Sequence, residues 1–339
     1  MARKPRIEYP GAVYHVMNRG DRGGKIVKDR LDYELFLKAT GEACARTGWR
    51  IHAWVLLGNH FHWLLETPAA NLVSGMKWFL GAYSQRFNAR HGQRGHVFQG
   101  RYKAVVVEAD AGDYFETVST YIHLNPARAG LLKDADLGLR SYPWSSYGEY
   151  LQAGKVRPVW LSVERVLGNL SLRDDPRGRQ QYAQYMEGRV RALRTAAGRR
   201  DSKRQWKALR SGWYVGSAEF RETLLAKVKE RIAGHDRGSY GGGATRPHDE
   251  SEAERLVQRG LRTLCLPDET LSRLPKGHAH KCALARVVHS RTMASHKWLA
   301  ARLHMGHPQN LTAYIKQAPE VAQPSMELLA AAAATAGDT

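Results

Sequence analysis

The stretch from Trp54 to Glu66, WVLLGNHFHWLLE, constrains the fold more than any other part of this sequence. It predicts two apolar strands that meet at Gly58-Asn59, and so tight a connection predicts an antiparallel hairpin. Because side chains alternate along a strand, His60 and His62 project from one face while Phe61 points into the core. Two imidazoles one strand repeat apart suit a single metal ion, and two polar-face histidines without a ligand are the alternative.

Hydrophobic periodicity around this hairpin predicts an α+β domain of the ferredoxin-like βαββαβ type. An added helix follows the last strand, and the short connections predict one compact domain. The predicted elements are a strand at 12–17, a helix at 31–47, a buried central strand at 50–57, a strand at 60–66, a helix at 71–89, a strand at 104–109 and the added helix from 113.

The added helix carries a tyrosine and an asparagine that lie on one face. Tyr121 and Asn125 are four residues apart, which brings their side chains together if the helix continues to its last turn. Pro126 disfavours helical geometry at Asn125 and is predicted to end the helix. A phenol and an amide in this position suit contact with a metal-bound phosphate, and a core tyrosine beside a C-capping asparagine is the alternative.

The charge of the chain predicts a polyanionic partner. Lys and Arg number 52 against 32 Asp and Glu, a formal net charge of +20 in 339 residues. Nucleic acid is the first expectation and an anionic membrane surface the competitor, although no apolar run approaches the ~20 residues that span a bilayer. Three widely separated cysteines predict neither a disulfide framework nor a zinc site, and the N-terminus lacks an apolar signal region, so we expect a cytoplasmic protein.

Cationic and amide side chains in two loops and on one helix are the predicted DNA contacts. The glycine-rich loop 18–24 permits close backbone approach to a phosphate, and the segment 93–103, QRGHVFQGRYK, places cations beside aromatic rings. Plain surface loops and a solvated basic helix face explain the same pattern. The predicted contacts are Arg19, Arg22, Arg86, Arg94, Gln99, Arg101 and Lys103.

The remainder of the chain is predicted to be mostly helical. After the ferredoxin-like domain (1–150), whose YPWSSYGEY segment is a predicted covering extension, we expect a basic helical extension (151–233) and a Gly-rich linker (234–248). The stretch 189–210 suits either a solvated helix or an arm that follows DNA. A helical domain (249–325) and a frayed Ala-rich tail (326–339) follow. Helices predicted at 295–303 and 308–316 indicate a helix-turn-helix, or an ordinary helical hairpin.

Taken together, the motifs His60-Phe61-His62, GHVFQGRYK at 95–103 and YIHLNPARAG at 121–130 resemble the single-tyrosine transposases of the HUH endonuclease superfamily. The REP-associated tyrosine transposases are the most similar group. The resemblance covers about residues 8 to 150, and the ordered combination is more specific than any single motif.

The resemblance implies a ferredoxin-like enzyme that nicks single-stranded or hairpin DNA through a 5′-phosphotyrosine. By position, Tyr121 is the implied nucleophile and His60, His62 and Asn125 are the implied ligands of Mg²⁺ or Mn²⁺, with Asn125 at a position where some relatives carry Gln. Glu66 shares strand parity with the histidines and is a candidate for an outer-shell role. A homodimer and a monomer both fit this reading.

Two alternatives come from other functional classes. A catalytically inactive descendant that binds hairpin DNA as a regulator would keep the fold and the basic surface. An RNA-binding or RNA-processing protein is the second alternative, since basic ferredoxin-like domains commonly bind RNA.

Overall fold

The computed structural model describes residues 6–132, 138–232, 246–292, 294–321 and 325. The chain divides into two compact units, the first formed by most of residues 1–237 and the second by most of residues 238–339.

The strands are β1 Ala12–Arg19, β2 Arg50–Leu56, β3 His60–Thr67, β4 Lys103–Val107 and β5 Tyr214–Val215. The helices up to residue 232 are α1 Arg30–Thr47, α2 Leu72–His91, α3 Tyr114–Arg128, α4 Tyr147–Tyr150, α5 Glu164–Asn169, α6 Pro176–Arg194, α7 Ala196–Ser211 and α8 Ala218–Ile232. Those that follow are α9 Arg246–Thr263, α10 Thr270–Arg273, α11 Ala279–Arg291, α12 His296–Arg302 and α13 Leu311–Val321.

The strands of the first unit form one sheet in the order β2-β3-β1-β4-β5 across the described residues. The pairs β2-β3, β3-β1 and β1-β4 are antiparallel, and β4-β5 is parallel. With α1 after β1 and α2 after β3, this order confirms the predicted ferredoxin-like α+β domain. The antiparallel β2-β3 hairpin around Gly58-Asn59 is confirmed as well.

Helices cover the two faces of the sheet differently. On one face, Phe61 and Trp63 of β3 pack against Phe36 of α1 and Phe79 of α2, with ring centroids 4.6–5.9 Å apart. On the other face lies α3, whose Phe115 ring is 5.0 Å from that of His52 in β2. The alternation of β3 side chains therefore sends Phe61 into the larger aromatic core and both of its histidines toward α3.

Strand β2 was predicted to be central, and this prediction is wrong, since β2 is the last strand on its side of the sheet. It is nevertheless almost wholly buried because later segments pair with its outer edge. The backbone N–H groups of Leu56 and Ser146 donate to Trp144 and Trp54 carbonyls at 3.0 Å, and Ile51 exchanges backbone bonds with Trp160 and Ser162. The predicted covering extension at 142–150 supplies part of this edge, which explains an apolar run in an edge strand.

The prediction that Pro126 ends the added helix is also wrong, because α3 continues to Arg128. A proline inside a helix removes one N–H donor and leaves the carbonyl four residues earlier without it. Here the Nδ2 group of Asn125 donates to the carbonyls of Tyr121 (3.1 Å) and Ile122 (3.5 Å). The side chain of Asn125 thereby replaces part of the missing backbone donor and lets the helix pass Pro126.

A half-buried carboxyl in α4, that of Glu149, makes the stability of this unit dependent on pH. Burial raises the pKa of Glu149 to about 7, although a 3.0 Å bond from Trp54 Nε1 acts in the opposite direction. A carboxyl whose pKa is raised by folding loses stability as pH rises from its unfolded value through about 7. We expect Glu149→Gln to raise the free energy of unfolding by about 1–3 kcal/mol at about pH 8, and to change it little at about pH 4.

Denaturant unfolding at the two pH values measures this effect, with the exposed Glu187→Gln as the matched control. A gain of equal size at both pH values would show that the amide acts through packing and not through the carboxyl charge.

The second unit has its own core, formed by α9, α11, α12 and α13 with their connections. Ser295 caps α12 through a bond from the Trp298 N–H (3.1 Å), and α13 follows α12 after a turn and one 3₁₀ turn at Pro308–Asn310. The two helices predicted around this turn are therefore present, while their DNA-reading role stays a prediction. The predicted linker lies outside the described residues except that Arg246 already begins α9, and the predicted tail at 326–339 lies outside them entirely.

The predicted basic stretch at 189–210 forms the end of α6 and most of α7. In the part of the chain that the structure describes, no helix combines the length and apolar character that a membrane span requires.

Candidate active site

Two histidines of β3 stand on the sheet face that α3 covers. His62 is buried and His60 half-buried, and their ring centroids are 5.2 Å apart at nearly a right angle. His60 Nδ1 bonds with Asn59 Oδ1 at 2.7 Å, and His62 Nδ1 bonds with His15 Nε2 at 3.0 Å. Because each histidine uses Nδ1 for a hydrogen bond, Nε2 is the nitrogen through which each would bind a cation.

The structure adds a third histidine to which the sequence analysis assigned no role. His15 of β1 is fully buried, and its ring stacks on that of His62 with centroids 5.1 Å apart. Burial, and next the charge of Lys103, lower the pKa of His15 to about 3, so the ring is neutral near pH 7. A neutral His15 can accept from the Nδ1–H of His62, and this His62 tautomer is the one that leaves Nε2 available to a cation.

The proximity of His15 to His62 follows from the pairing of β1 with β3 and could not be read from either strand alone. In that register Met17 faces His62 and His15 faces Leu64, so the two histidines are diagonal neighbours on one face. Within β1 the sole sequence signal was a polar residue in an otherwise apolar strand.

The phenol of Tyr121 meets the histidine cluster. Its ring centroid lies 5.9 Å from His62 and 6.0 Å from His15, both in edge-on arrangements. Its hydroxyl donates to Asn125 Oδ1 at 3.2 Å, as expected for two residues one helical turn apart. The structure therefore brings the Tyr121–Asn125 pair of α3 against His62 of β3, whose ring lies beside that of His60.

A cation and a small cavity border the phenol on its outer side. The Arg128 guanidinium carbon is 4.8 Å from the Tyr121 ring centroid, and the same guanidinium donates to the hydroxyl of Ser202 in α7. A cavity of about 60 Å³ lies among α3, α6 and α7 beside these side chains. Tyr121 is 6% exposed in this arrangement.

The side chains of His60, His62 and Asn125 form a donor set that would bind a divalent cation with modest affinity. It offers two imidazole nitrogens, which suit zinc and other transition metals, and one amide oxygen, so Mg²⁺ or Mn²⁺ would need phosphate or water oxygens to complete its shell. Asn125 Oδ1 is 3.2 Å from the Tyr121 hydroxyl, which places this oxygen in the same cluster as the imidazoles. In the described residues no group of three His, Cys, Asp or Glu side chains is arranged for a metal, so any site here depends on the amide.

Glu66, the candidate for an outer-shell role, is bonded elsewhere. Its carboxylate accepts from His52 Nε2 at 3.0 Å and lies 3.5 Å from Arg165 and 3.6 Å from Arg50. These contacts, with the His52 bond first, lower the pKa of Glu66. The structure thus places Glu66 in an ion-pair cluster at the far end of β3 from His60.

Two of the predicted DNA contacts lie on the face that carries the histidines. Arg19 pairs with His60 in the β1-β3 register, and Lys103 pairs with Met17, which in turn faces His62. Directly paired residues of antiparallel strands share a face, so both cations flank the cluster. The guanidinium of Arg19 also donates to the side chain of Gln99, which brings a third predicted contact to this edge.

The other predicted contacts are dispersed. Arg86 makes two bonds to the Glu42 carboxylate, at 3.1 and 2.6 Å, so its charge is already paired. Arg22 is exposed with a left-handed φ of 52°, and Arg94 lines a groove of about 520 Å³ beside Lys25 and Lys28. Arg101 is exposed and lines a different groove.

Comparison with known proteins gives one family match. The model of the family described as "Transposase IS200 like" matches residues 9–125, a range that contains His60, His62, Tyr121 and Asn125. A solved structure of a REP-associated tyrosine transposase bound to a REP hairpin aligns with 48% of this chain and 92% of its own, at 18% sequence identity and a TM-score of 0.38. Among curated proteins no sequence matches the chain. The family match confirms the resemblance predicted from the motifs.

Proposed function

We propose, from the premise that residues 9–125 form a domain of the IS200-like transposase family, that this chain nicks and rejoins single-stranded DNA through Tyr121. Family membership supports a DNA-processing activity in general. The finer proposal rests on one observation, which is that the Tyr121 phenol meets the paired histidines of β3.

Tyr121 is suited to attack a phosphodiester. In this step its oxygen forms a bond to phosphorus, the bond from phosphorus to the 3′ oxygen breaks, and that oxygen leaves as a 3′-hydroxyl after taking a proton. The DNA remains attached as a 5′-phosphotyrosine, and the 3′-hydroxyl can later reverse the reaction without ATP. The guanidinium of Arg128 over the ring favours the negative charge that the phenol oxygen gains when it loses its proton.

His60, His62 and Asn125 are the residues that would hold a divalent cation, Mg²⁺ or Mn²⁺, in this site. When bound, such a cation withdraws charge from a non-bridging phosphate oxygen and offsets the charge that develops during transfer. His15 orients His62 for this role, and Asn125 holds the Tyr121 hydroxyl beside the same cluster. The nucleophile and the ligand set thus come from two elements of one domain, α3 and β3.

The cations on the same face suit the DNA strand. Arg19 and Lys103 flank the histidines in the sheet register, where they would contact phosphates next to the cleaved bond. Such contacts position the backbone and carry no sequence information. Hairpin choice therefore falls to other parts of the chain, with the predicted helix-turn-helix of α12 and α13 as a candidate.

End-labelled oligonucleotides that carry a stem-loop with single-stranded flanks test the proposal directly. With Mg²⁺ or Mn²⁺ we expect a nick beside the stem and a band of protein covalently attached to the 5′ phosphate on denaturing gels. Binding to the hairpin without any nick under either metal would support an inactive regulator. Preference for the ribose version of the oligonucleotide would support RNA processing.

The role of His15 gives a separate prediction. His15→Phe keeps a ring against His62 but removes the nitrogen that accepts from His62 Nδ1. We expect the rate of adduct formation at limiting Mn²⁺ to fall about 10–100-fold, as for other groups that orient a metal ligand. His15→Gln, which retains an acceptor, should recover part of the loss, and excess Mn²⁺ should narrow the difference. Equal loss in both variants at every Mn²⁺ concentration would assign His15 a packing role.

A further inference from the structure

A second groove lies at the β4 edge of the sheet and is lined from both faces, by Lys103 of the histidine face and by Ala104 and Val106 of the opposite face. It has a volume of about 590 Å³, and its lining includes Tyr14 of β1 and Leu72 at the start of α2. Tyr14 is next to His15 in β1, so its side chain points to the opposite face of the sheet. It pairs with Leu65 and lies on the face that α1 and α2 cover. The volume falls within the range of about 300–1,000 Å³ that is usual for small-molecule and nucleotide sites.

The charged groups of the groove are of one sign. Its charged lining residues are Arg6, Arg101, Lys103 and Arg221, and no Asp or Glu lines it among the described residues. Arg101 is exposed, while Arg221 makes a 2.8 Å ion pair with Glu222 in which both partners are about half exposed. An exposed pair of this kind is worth little and exchanges readily for a stronger anion such as a phosphate.

Aromatic groups stand next to these cations. Trp213 is 37% exposed, one of the few large apolar side chains that the described chain presents to solvent. Tyr102 is buried, with the Arg6 guanidinium 3.6 Å from its ring centroid. The Tyr102 hydroxyl has no hydrogen-bond partner among the described residues although it is shielded from solvent. An unsatisfied buried hydroxyl beside an open groove is a candidate for a bond to a bound ligand.

From these features we infer that the groove holds one unpaired nucleotide of a DNA strand, with its base on Trp213 and its phosphate between Arg101 and Arg221. Arginines select phosphate, and an exposed indole offers the flat face on which any base stacks. The inference rests on the proposed function in one respect, which is that the chain acts on single-stranded DNA. Because β5 extends the sheet only beside Val106 and Val107, a strand can pass around the β4 edge from this groove to the histidine face.

Fluorescence anisotropy with a labelled oligo-dT of about 12 nucleotides tests the groove. The protein carries Tyr121→Phe and no divalent metal is added, so cleavage plays no part. We expect Trp213→Ala to weaken binding about 5–150-fold, equivalent to the ~1–3 kcal/mol of one base stack, and Trp213→Phe to retain most of the affinity. Arg101→Ala should lower the slope of log affinity against log salt by about 0.7.

Arg30→Ala is the matched control, because it removes one exposed charge of the same unit and does not line the groove. We expect it to change the affinity by less than about twofold. If Trp213→Ala does not fold, Arg101→Ala and Arg221→Gln, both at exposed positions, decide the question.

Photocrosslinking locates the contact independently. An oligonucleotide that contains 5-iodouracil should crosslink to the peptide that carries Trp213 or Tyr102. Crosslinks confined to the histidine face, affinities unchanged by Trp213→Ala, or equally tight binding of free dTMP or of the RNA oligonucleotide would each overturn the inference. Because the assay uses a chain that cannot nick, absence of nicking by the native protein counts against the proposed function and leaves this result unaffected.

Discussion

Tyr121→Phe is expected to remove the covalent DNA adduct and to lower the nicking rate by at least about 10⁴-fold. The variant lacks only the oxygen that forms the bond to phosphorus, and loss of a nucleophile in covalent mechanisms has effects of this order. The phenyl ring keeps its contacts with His15, His62 and Arg128, while the 3.2 Å bond to Asn125 is lost. Binding to hairpin DNA should therefore change by no more than a few-fold.

Tyr185→Phe is the matched control for this experiment. Its hydroxyl also lies near α3, where it donates to Glu116 at 2.7 Å and bonds with Thr120 at 3.3 Å, and its loss removes these partly buried bonds. We expect this variant to form the adduct at nearly the native rate. Adduct formation by Tyr121→Phe, or its loss in Tyr185→Phe, would show that the nucleophile is misassigned.

His62→Ala is expected to lower metal-dependent nicking by about 10³-fold or more, with a smaller loss for the less buried His60→Ala. His62 supplies one of two imidazoles in the proposed ligand set and carries the link to His15, so its removal affects both affinity and orientation. The two substitutions should be far from additive, because either one removes an imidazole from the same ligand set and so weakens cation binding at one shared site. Labelled-oligonucleotide gels over a range of Mn²⁺ concentrations give the rates.

Two further measurements separate a ligand role from a folding role. The exposed His96→Ala removes an imidazole away from the cluster and should leave the nicking rate unchanged. Thermal unfolding and hairpin binding of His60→Ala should remain close to those of the native chain, because this side chain is half-buried. Parallel loss of nicking, binding and thermal stability in His60→Ala would mean that the histidine supports the fold.

Local patterns of the sequence determined much of the first unit. The alternation HFHWLLE sent Phe61 and the two histidines to opposite faces whatever the rest of the chain did, because side chains alternate in every strand. The i, i+4 spacing likewise brought Tyr121 and Asn125 together within one helix. Helix α1 began at the capping residue Asp29 and ended at Gly48, where a φ of 70° suits glycine.

Tertiary structure decided the features that depend on distant segments. The edge position of β2 was hidden because residues 144–162 cover its open side and so permit an apolar strand there. Helix α3 continues beyond Pro126 because the side-chain amide of Asn125 replaces a backbone donor. Helix propensities do not account for such side-chain bonds, so they did not predict this continuation. Arg86 was predicted to contact DNA because it is a cation on a basic helix face, yet its charge is paired with Glu42 of another helix.

The amino-acid sequence by itself thus determined which residues share a face within one strand or one helix, because the repeats of these elements are fixed by covalent geometry. Which elements face each other was decided by tertiary structure. His15 acquired its place beside His62 from the β1-β3 register, and Arg128 its place over Tyr121 from the continuation of α3. The physical reason is that strand register and helix packing are set by the burial of apolar surface over the whole unit. No single motif contains enough of that surface to determine them.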